Sequence, residues 1–457
     1  MWPSESPVSA FIERRQRLQA LLDRPAVLVS GFARPRNFTA NPYPFRAESH
    51  FLYLVGRHLE GAVLLVDGKG STLFAEEADP EEELWTGRMP SLEELAKSCG
   101  LPVRPLEELD VPAHALTLPA QDWEGALLQS EILERDIEPG SGPELEGADV
   151  KLADAMIQLR LTHDRAAISQ LEQASAATAL AHSAGLAATR AAEREAQIRG
   201  AMEGAISACG CVPSYNPIVT VHGEVLHQQH SNGAIRAGDL LLADVGAETP
   251  EGFAGDVTRT WPVSGKFSAS QRELYEVVLD AQLAAIAAVK PGARFLDVHR
   301  TASRSLVDGL LALGILRGDR AELQERGAAA LFFPHGIGHL IGLDVHDMED
   351  LGDRAGYAPA RKRSTAPSDR YLRLDRDLVP GMAVTIEPGF YQIARILERP
   401  EEVGELERFL CRDVLARYSD VRGIRIEDDV LVTERGCRVL TEAIPKTVAD
   451  VEAALAG

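Results

Sequence analysis

Three histidines, whose imidazoles can bind a metal ion or carry a proton, lie within twelve residues of one another. His335, His339 and His346 lie in the stretch HGIGHLIGLDVH and are a quarter of the 12 histidines in 457 residues. The HxxxH spacing of the first two would suit one face of a helix, as in helical zinc proteases. The two glycines between them, however, cost a helix about 2 kcal/mol relative to alanine. We therefore predict a loop that feeds a strand, with a bend at Gly342 if His339 and His346 serve one site; the alternative is three histidines scattered through a core loop.

Two aspartates end and begin neighbouring apolar segments. LLLAD is a predicted buried strand that ends at Asp244, and Asp256 opens the next strand, DVTRTW. The TPEG sequence between them favours a tight turn. A hairpin centred near Pro250 would set the two aspartates directly opposite each other, with Cβ atoms about 5 Å apart. Like charges so close repel, and burial raises the cost. Either one carboxyl stays protonated or a metal ion lies between them; the alternative is two acids capping a surface turn.

Two glutamates also adjoin apolar strands. Glu387 follows AVTI and precedes Pro-Gly, and Glu427 lies in the predicted strand IRIEDDVLV, with Arg425 on the same face by the period of two. Glu427 could therefore simply be ion-paired with Arg425. With His339, however, the four carboxylates form an oxygen-rich donor set that suits Mn²⁺, Mg²⁺ or Co²⁺ and tolerates Zn²⁺. Two ions about 3.5–4 Å apart, bridged by carboxylates and a hydroxide, would use all five ligands.

Composition excludes several classes of partner. The net charge is −22, from 69 acidic and 47 basic residues, which argues against nucleic acid and anionic membranes as partners. No apolar run approaches the roughly eighteen residues of a membrane span, and the first residues do not form a signal peptide pattern. The five cysteines are odd in number and scattered, which predicts reduced thiols and a cytoplasmic protein.

The elements that must position these residues fall into two domains. Helix and strand patterns alternate over the first 130 residues, with a helix at 11–23 and strands that include 51–55, which predicts an N-terminal α/β domain. Residues 138–149 are rich in Gly, Pro and acidic residues and lack periodicity, so we divide the chain into domains 1–148 and 149–457. In the second domain we predict helices at 152–190, 193–208, 270–289 and 296–312, strands at 215–221, 238–246 and 256–263, and a surface loop at 350–371.

Taken in order, these motifs resemble the dinuclear-metal peptidases of the pita-bread fold, and among them the proline-specific branch of prolidase and aminopeptidase P. The motifs are YPFRAESHFLYLVG and LWTG in the first domain, and DVG…GDVTRTWP, HGIGHLIGLDVHD, PGMAVTIEPGFY and GIRIEDDVLVT in the second. The resemblance implies an α/β fold class (α+β), with the N-terminal domain that these enzymes share and a C-terminal pita-bread catalytic domain. It also implies hydrolysis of the Xaa-Pro bond at a peptide N-terminus.

The resemblance further implies roles for individual residues. His227 and His346 would hold the scissile carbonyl and stabilise the tetrahedral intermediate, His335 would line the proline pocket, and Arg425 would contact substrate or serve as a structural partner. The ligands would bind two divalent ions, most simply Mn²⁺, with Co²⁺ or Zn²⁺ as alternatives. A homodimer is implied as well. The implied metal ligands are Asp244, Asp256, His339, Glu387 and Glu427, of which Glu387 would also shuttle the proton.

Prolidase and aminopeptidase P differ in the groups they accept after the proline. A dipeptidase must recognise the proline carboxylate, and an arginine can bind a carboxylate through two parallel N–H groups. Arg373 lies fourteen residues before Glu387, a placement that resembles the arginine that prolidases aim at this carboxylate. The interval of forty positions from Glu387 to Glu427 also resembles that of prolidase. These features favour an Xaa-Pro dipeptidase; the alternatives are an aminopeptidase P acting on longer peptides and, for Arg373, a solvated side chain in a charged run.

Other functions of the fold fit the sequence less well. A non-catalytic pita-bread binding protein would lose metal ligands, whereas this chain keeps all five, and the complete set also disfavours the metal-free creatinases. Methionine aminopeptidases commonly lack an N-terminal domain of this size. Hydrolysis of organophosphate esters, a side activity of some prolidases, remains a further hypothesis.

Overall fold

The computed structural model describes residues 5–77, 79, 81, 83–139, 145 and 147–456. These residues form two compact units. The N-terminal unit extends to residue 162 and includes 348–355, and the C-terminal unit contains 163–347 and the chain from 356 onwards. The predicted linker 138–149 lies partly outside the described residues, and a division at 148/149 stays a prediction.

The N-terminal unit is a five-stranded sheet with helices. Its helices are α1 (Val8–Leu21), α2 (Ser49–Val55), α3 (Glu83–Thr86), α4 (Leu92–Cys99), α5 (Trp123–Leu133) and α6 (Val150–Arg160), and its strands are β1 (Ala26–Val29), β2 (Val63–Asp67), β3 (Gly70–Ala75), β4 (Val103–Pro105) and β5 (Leu116–Thr117). The strand order is β4-β3-β2-β1-β5; the β1/β5 and β3/β4 pairs are parallel and the other pairs antiparallel. The apolar side chains of Val27, Val29, Val63 and Phe74 lie in the core of this unit.

The strand predicted at 51–55 is wrong, because this segment belongs to helix α2. The Glu48 carboxylate accepts a hydrogen bond from the backbone N–H of Phe51 at 2.9 Å and so caps the helix. Gly56 ends it in the left-handed conformation, where a side chain would collide with the ring of Phe11. Residues 50–55 are all buried, and an apolar run that is buried on every side has no periodicity by which to separate a helix from a strand.

The C-terminal unit combines long helices with short antiparallel sheets. Its helices are α7 (Arg165–Thr189), α8 (Glu195–Ala208), α9 (Ala269–Ala288), α10 (Phe295–Ala312), α11 (Arg320–Glu325), α13 (Ala394–Leu397), α14 (Pro400–Val403), α15 (Arg412–Leu415) and α16 (Val448–Ala456), while α12 (Asp353–Gly356) ends the segment that belongs to the N-terminal unit. Its strands are β6 (Val212–Pro213), β7 (Ile218–Thr220), β8 (Leu240–Asp244), β9 (Ala247–Glu248), β10 (Thr258–Pro262), β11 (Ala383–Ile386), β12 (Gly389–Tyr391), β13 (Gly423–Arg425), β14 (Asp428–Val432) and β15 (Cys437–Val439). The strand orders of the sheets are β10-β8-β7, β11-β14-β15, β12-β13 and β6-β9.

A buried ion pair lies in the C-terminal unit where β10 meets β14. The Nη2 atom of Arg259 lies 2.7 Å from Oδ1 of Asp428, and Lys446 Nζ lies 2.7 Å from Oδ2 of the same carboxylate. The side chains of Arg259 and Asp428 are 2% and 0% exposed. Arg259 also donates to the backbone carbonyl of Glu427 at 2.5 Å, so the pair fixes the backbone next to that acid.

Two further observations bear on the predictions from composition. No helix within the described ranges is long and apolar enough to cross a membrane. All five cysteines are free, and Cys99, Cys209 and Cys211 are buried.

Candidate metal centre and active-site cavity

Asp244 ends β8 and Asp256 lies two residues before β10, and the two side chains do not lie directly opposite each other. Asp244 pairs with Thr258 instead. The reason is the turn: the N–H of Thr249 bonds to the carbonyl of Phe253 at 2.9 Å, so the hairpin is centred one residue later than predicted. A register change of two residues keeps the side chains on the same face as diagonal neighbours. The predicted register was therefore wrong, although the two carboxylates still meet.

Tyr215 lies between these two carboxylates, and no pattern in the sequence marks it as a site residue. Its hydroxyl oxygen is 2.5 Å from Oδ1 of Asp244 and 2.7 Å from Oδ1 of Asp256. A hydroxyl has one proton, so it can donate to only one of them at a time. Burial, opposed by Arg425, raises the pKa of Asp244. The second carboxylate therefore needs an additional proton or a cation beside it.

His339 is delivered by a loop that runs along β11. The predicted strand does not form here; only Leu340 makes an isolated bridge, to β11. A Cβ at Gly338 would lie 2.0 Å from the carbonyl oxygen of Thr385, so only glycine permits this close approach. Nδ1 of His339 lies 2.9 Å from the Leu340 carbonyl, to which it donates its proton. The other ring nitrogen, Nε2, is thereby left facing Oδ2 of Asp256 at 3.4 Å, as in a metal-ligating histidine.

The two glutamates follow strand ends. Glu387 comes directly after β11, as predicted, whereas Glu427 lies between β13 and β14 and not within one strand. The chain changes partner at this point, because β13 pairs with β12 and β14 pairs with β11. Thr258 holds Glu427 in place: its hydroxyl donates to Oε2 at 2.7 Å, and its carbonyl accepts the Glu427 N–H at 3.0 Å.

The electrostatics of these groups fit a divalent cation. Ligand atoms of Asp256, His339 and Glu427 lie within 4.8 Å of one another, and all three residues are buried. Burial raises the pKa of Glu387 to about 7 and that of Glu427 well above its ordinary value, in both cases against Arg425. Burial acts the same way on Asp256, but the hydrogen bond and charge of His339 outweigh it and lower the pKa. Protonation of some carboxylates relieves this crowding, and a bound cation would relieve it as well.

Arg425 pairs with Asp244, so the alternative of a simple ion pair between Arg425 and Glu427 is wrong. Nη2 lies 2.5 Å from Oδ2 of Asp244, Nε donates to the Thr258 hydroxyl at 2.9 Å, and Nη1 donates to the Tyr391 hydroxyl at 3.1 Å. The Thr258 hydroxyl connects Arg425 with Glu427, because it accepts a hydrogen bond from Nε of Arg425 and donates one to the Glu427 carboxylate. Tyr391 is a second site residue that sequence reasoning missed.

The predicted histidines surround the acids. Nε2 of His335 lies 2.9 Å from the Tyr391 hydroxyl. The rings of His339 and His346 meet edge to face with centroids 4.3 Å apart, as expected if the chain bends between them. Burial lowers the pKa of His335 to about 3, and burial together with the charge of His339 lowers that of His346 to about 3, so both imidazoles are neutral. His227 is exposed in a turn.

All ten predicted site residues line one cavity of about 780 Å³ in the C-terminal unit. The structure thus brings every one of them together, although their individual roles stay predictions. Arg373, which would bind the proline carboxylate under the dipeptidase hypothesis, is exposed on the cavity wall. The ten residues are His227, Asp244, Asp256, His335, His339, His346, Arg373, Glu387, Arg425 and Glu427.

A second cluster of potential ligands lies in the N-terminal unit and does not require a metal. It comprises Glu48, His50 and Asp350. Nε2 of His50 lies 2.9 Å from Asp350, and Arg160 donates to its Nδ1 at 3.0 Å. Burial acts to lower the pKa of His50, but the Asp350 and Glu48 carboxylates outweigh it and raise the pKa. Because a guanidinium cannot accept a hydrogen bond, Nδ1 is the acceptor and Nε2 donates its proton to Asp350, so both ring nitrogens are satisfied without a metal.

Comparison with known proteins places both parts of the chain. The model of metallopeptidase family M24 matches residues 169–434, and that of the aminopeptidase P N-terminal domain matches residues 11–121. The probable Xaa-Pro aminopeptidase pepP of Talaromyces marneffei is 35% identical over 425 residues, covering 91% of this chain and 88% of that protein. The probable Xaa-Pro aminopeptidase pepP of Penicillium rubens is 34% identical over 421 residues, with 90% and 88% coverage.

Solved structures give the same result. Aminopeptidase P from Escherichia coli with the inhibitor Pro-Leu matches with a TM-score of 0.79 and 29% identity, covering 99% of each chain. The Pseudomonas aeruginosa aminopeptidase PepP matches with a TM-score of 0.77 and 29% identity, covering 99% of this chain and 98% of that one. These matches confirm the predicted family and fold class, an α/β N-terminal domain followed by a pita-bread metallopeptidase domain.

Proposed function

The chain belongs to metallopeptidase family M24, and from this premise we propose that it is an Xaa-Pro aminopeptidase, a metal-dependent enzyme that removes the first residue of a peptide whose second residue is proline. The observation that carries the proposal is the set of ten predicted site residues around one cavity. The N-terminal domain match and the relatives agree with it.

The comparisons favour this aminopeptidase over the dipeptidase that the Arg373 argument preferred. The relatives and the solved structures that match nearly the whole chain are named aminopeptidases. Arg373 is exposed on a cavity of about 780 Å³, which is large enough for several residues of a peptide. A guanidinium on such a wall can contact a longer peptide as readily as the carboxylate of a dipeptide.

We propose that Asp244, Asp256, His339, Glu387 and Glu427 hold two divalent cations, most simply Mn²⁺, with Co²⁺ or Zn²⁺ as alternatives. The fit rests on the crowded carboxylates around Tyr215 and on Nε2 of His339, which faces them. Cations held there would supply a water of lowered pKa and polarise the scissile carbonyl.

Side chains of the protein would transfer the proton, stabilise the negative oxygen of the transition state and bind the proline. Glu387, whose pKa burial raises to about 7, can accept a proton and return it near neutral pH. His346 and His227 line the same cavity, and a neutral imidazole such as that of His346 can donate to an oxygen that becomes negative only in the transition state. Next to the ring of Phe333, with centroids 4.7 Å apart, His335 offers an apolar wall for the proline.

The test compares Ala-Pro with Ala-Pro-Gly-Gly for the Mn²⁺-loaded protein, with Arg373→Gln alongside. We expect the longer peptide to be cleaved with the higher kcat/KM, with release of free alanine. Preference for the dipeptide, lost in Arg373→Gln, would instead restore the dipeptidase hypothesis. Failure to cleave either peptide would contradict the proposed function.

We also propose a homodimer in the cytoplasm. The resemblance to the family supports the dimer, and the five free cysteines support a reducing compartment. Light scattering at micromolar concentration tests the first, since a monomer would contradict it, and fractionation of the source cells tests the second.

A further inference from the structure

Glu195, the first residue of helix α8, is a buried acid that has no part in the reaction proposed above; it is 2% exposed. Its Oε1 accepts hydrogen bonds from the N–H of Val221 at 2.8 Å and the hydroxyl of Thr220 at 3.1 Å, and its Oε2 accepts one from the N–H of Gly233 at 2.7 Å. The N–H of Glu195 also donates to the Gly233 carbonyl at 3.1 Å. Hydrogen bonds to a carboxylate are about twice as strong as those between neutral groups. Glu195 therefore holds together two backbone segments that are twelve residues apart in the chain.

The segment between these two ends carries His227. Residues 221–233 form neither helix nor strand, and we call them the His227 loop. His227 lies at the midpoint of the loop, six residues from Val221 and six from Gly233, and it lines the active-site cavity together with Leu226. Because one carboxylate binds both ends, the loop is closed at its base, and this closure reduces the number of conformations that its residues can adopt.

The first part of the His227 loop is also fixed against strand β13. A Cβ at Gly223 would lie 2.8 Å from the Gly423 carbonyl oxygen, and a Cβ at Gly423 would lie 2.3 Å from the carbonyl carbon of Gly223, so the two backbones are in direct contact. The imidazole of His227, in contrast, makes no hydrogen bond within the part of the chain that the structure describes. Its position therefore depends on the backbone on either side of it, and so on the two ends that Glu195 binds.

We propose that Glu195 is a positioning residue for the peptidase reaction, because it binds both ends of the His227 loop and thereby holds the imidazole of His227 in the active-site cavity. This inference rests on the proposed function, with His227 as one of the imidazoles that donate to the substrate oxygen. Such a hydrogen bond is sensitive to displacement, and a shift of about 1 Å can lower a rate by a factor of about 10². Glu195 is not among the residues that line the cavity, so its effect on the reaction passes through the loop.

The first experiment is a double-mutant cycle of Glu195→Gln and His227→Ala, with kcat and KM measured for Ala-Pro-Gly-Gly and the Mn²⁺-loaded protein. Glutamine keeps one acceptor oxygen but presents an NH₂ group to a backbone N–H, so one end of the loop is released. We expect Glu195→Gln to lower kcat/KM about five- to thirtyfold in the wild-type background, and by less than about twofold in the His227→Ala background. An equal loss in both backgrounds would show that Glu195 acts on the fold as a whole and would overturn the inference.

Two further variants assign the effect to the loop. Glu452→Gln is the matched control, because Oε1 of Glu452 also accepts a backbone N–H, that of Phe267 at 3.2 Å, but Glu452 does not line the cavity. It should leave kcat/KM unchanged, and an equal loss in Glu452→Gln would overturn the inference. Gly233→Ala perturbs the same hydrogen bonds from the loop side, since its Cβ would lie 2.6 Å from Oε1 of Glu195. This variant should also lower kcat/KM, and it tests the inference if Glu195→Gln does not fold; wild-type activity of both variants would overturn the inference.

Hydrogen exchange separates this inference from the proposed function, because it needs no substrate. In the Mn²⁺-loaded protein without peptide, Glu195→Gln should speed exchange of the amides of residues 221–233 about three- to tenfold, whereas Glu452→Gln should leave their exchange unchanged. Unchanged exchange of these amides in Glu195→Gln would overturn the inference and leave the aminopeptidase intact. Absence of cleavage of Ala-Pro-Gly-Gly by the wild-type protein would overturn the proposed function, and the role of Glu195 in the reaction with it.

Discussion

Replacing Asp428 by asparagine tests whether the buried ion pair beside the metal centre stabilises the C-terminal unit through its charge. The carboxylate receives Arg259 and Lys446, each at 2.7 Å, and also hydrogen bonds from Gln282 and Thr441, each at 2.7 Å. Burial acts to raise the pKa of Asp428, but Arg259 and Lys446 outweigh it and lower the pKa, so the group is ionised at neutral pH. Asparagine has nearly the same shape and no charge.

The expected loss of unfolding free energy arises because Arg259 and Lys446 no longer face a carboxylate. Asp428→Asn leaves the Arg259 guanidinium buried opposite a neutral amide, and removal of one partner of a buried pair costs about 3–5 kcal/mol. For a unit of this size, that loss lowers the melting temperature by about 6–10 °C. Differential scanning calorimetry gives the melting temperature, and urea unfolding gives the free energy.

The control is the same substitution in an exposed pair. Asp377 and Arg361 are 2.9 Å apart, but the side chain of Asp377 is 56% exposed, so Asp377→Asn should cost less than about 1 kcal/mol. If Asp428→Asn costs no more than Asp377→Asn, burial does not strengthen the pair and the reasoning fails.

Two further outcomes are expected from single substitutions. Gly338→Ala places a Cβ 2.0 Å from the carbonyl oxygen of Thr385 and should cost about 1–3 kcal/mol in urea unfolding together with most of the peptidase activity; a fully active variant would contradict this packing. Glu427→Gln should lower the Mn²⁺ bound per chain, measured by atomic emission after dialysis, whereas an unchanged metal content would remove Glu427 from the ligand set.

Local sequence was sufficient to identify the acids and histidines of the site. Asp244 and Glu387 each terminate an apolar strand, as predicted, and short-range patterns of apolar residues locate such strands. The type of side chain also limits the chemistry, since carboxylates and imidazole without sulfur suit hard or borderline divalent metals. The long helices were predicted to within a few residues, apart from the break between α6 and α7, where Asp164 caps the second helix.

Partners distant in sequence could not be predicted in this way. The period of two made an ion pair between Arg425 and Glu427 one alternative, but Arg425 pairs with Asp244, which is 181 residues away. The hydroxyls of Tyr215 and Tyr391 complete the site. Tyr215 lies in none of the motifs, and Tyr391 ends the motif PGMAVTIEPGFY, which does not reveal the hydrogen bonds that this tyrosine makes. Which buried donor meets which acceptor depends on how strands from separate parts of the chain pack.

The sequence by itself determined the identity of the potential ligands, their order along the chain and the strands that carry most of them, because side-chain chemistry and short-range periodicity are local properties. Only the tertiary structure decided the register that pairs Asp244 with Thr258 and the helical state of residues 49–55. Each of these depends on burial and hydrogen bonding with groups distant in the chain, and such free energies exceed the small local preferences that a sequence displays.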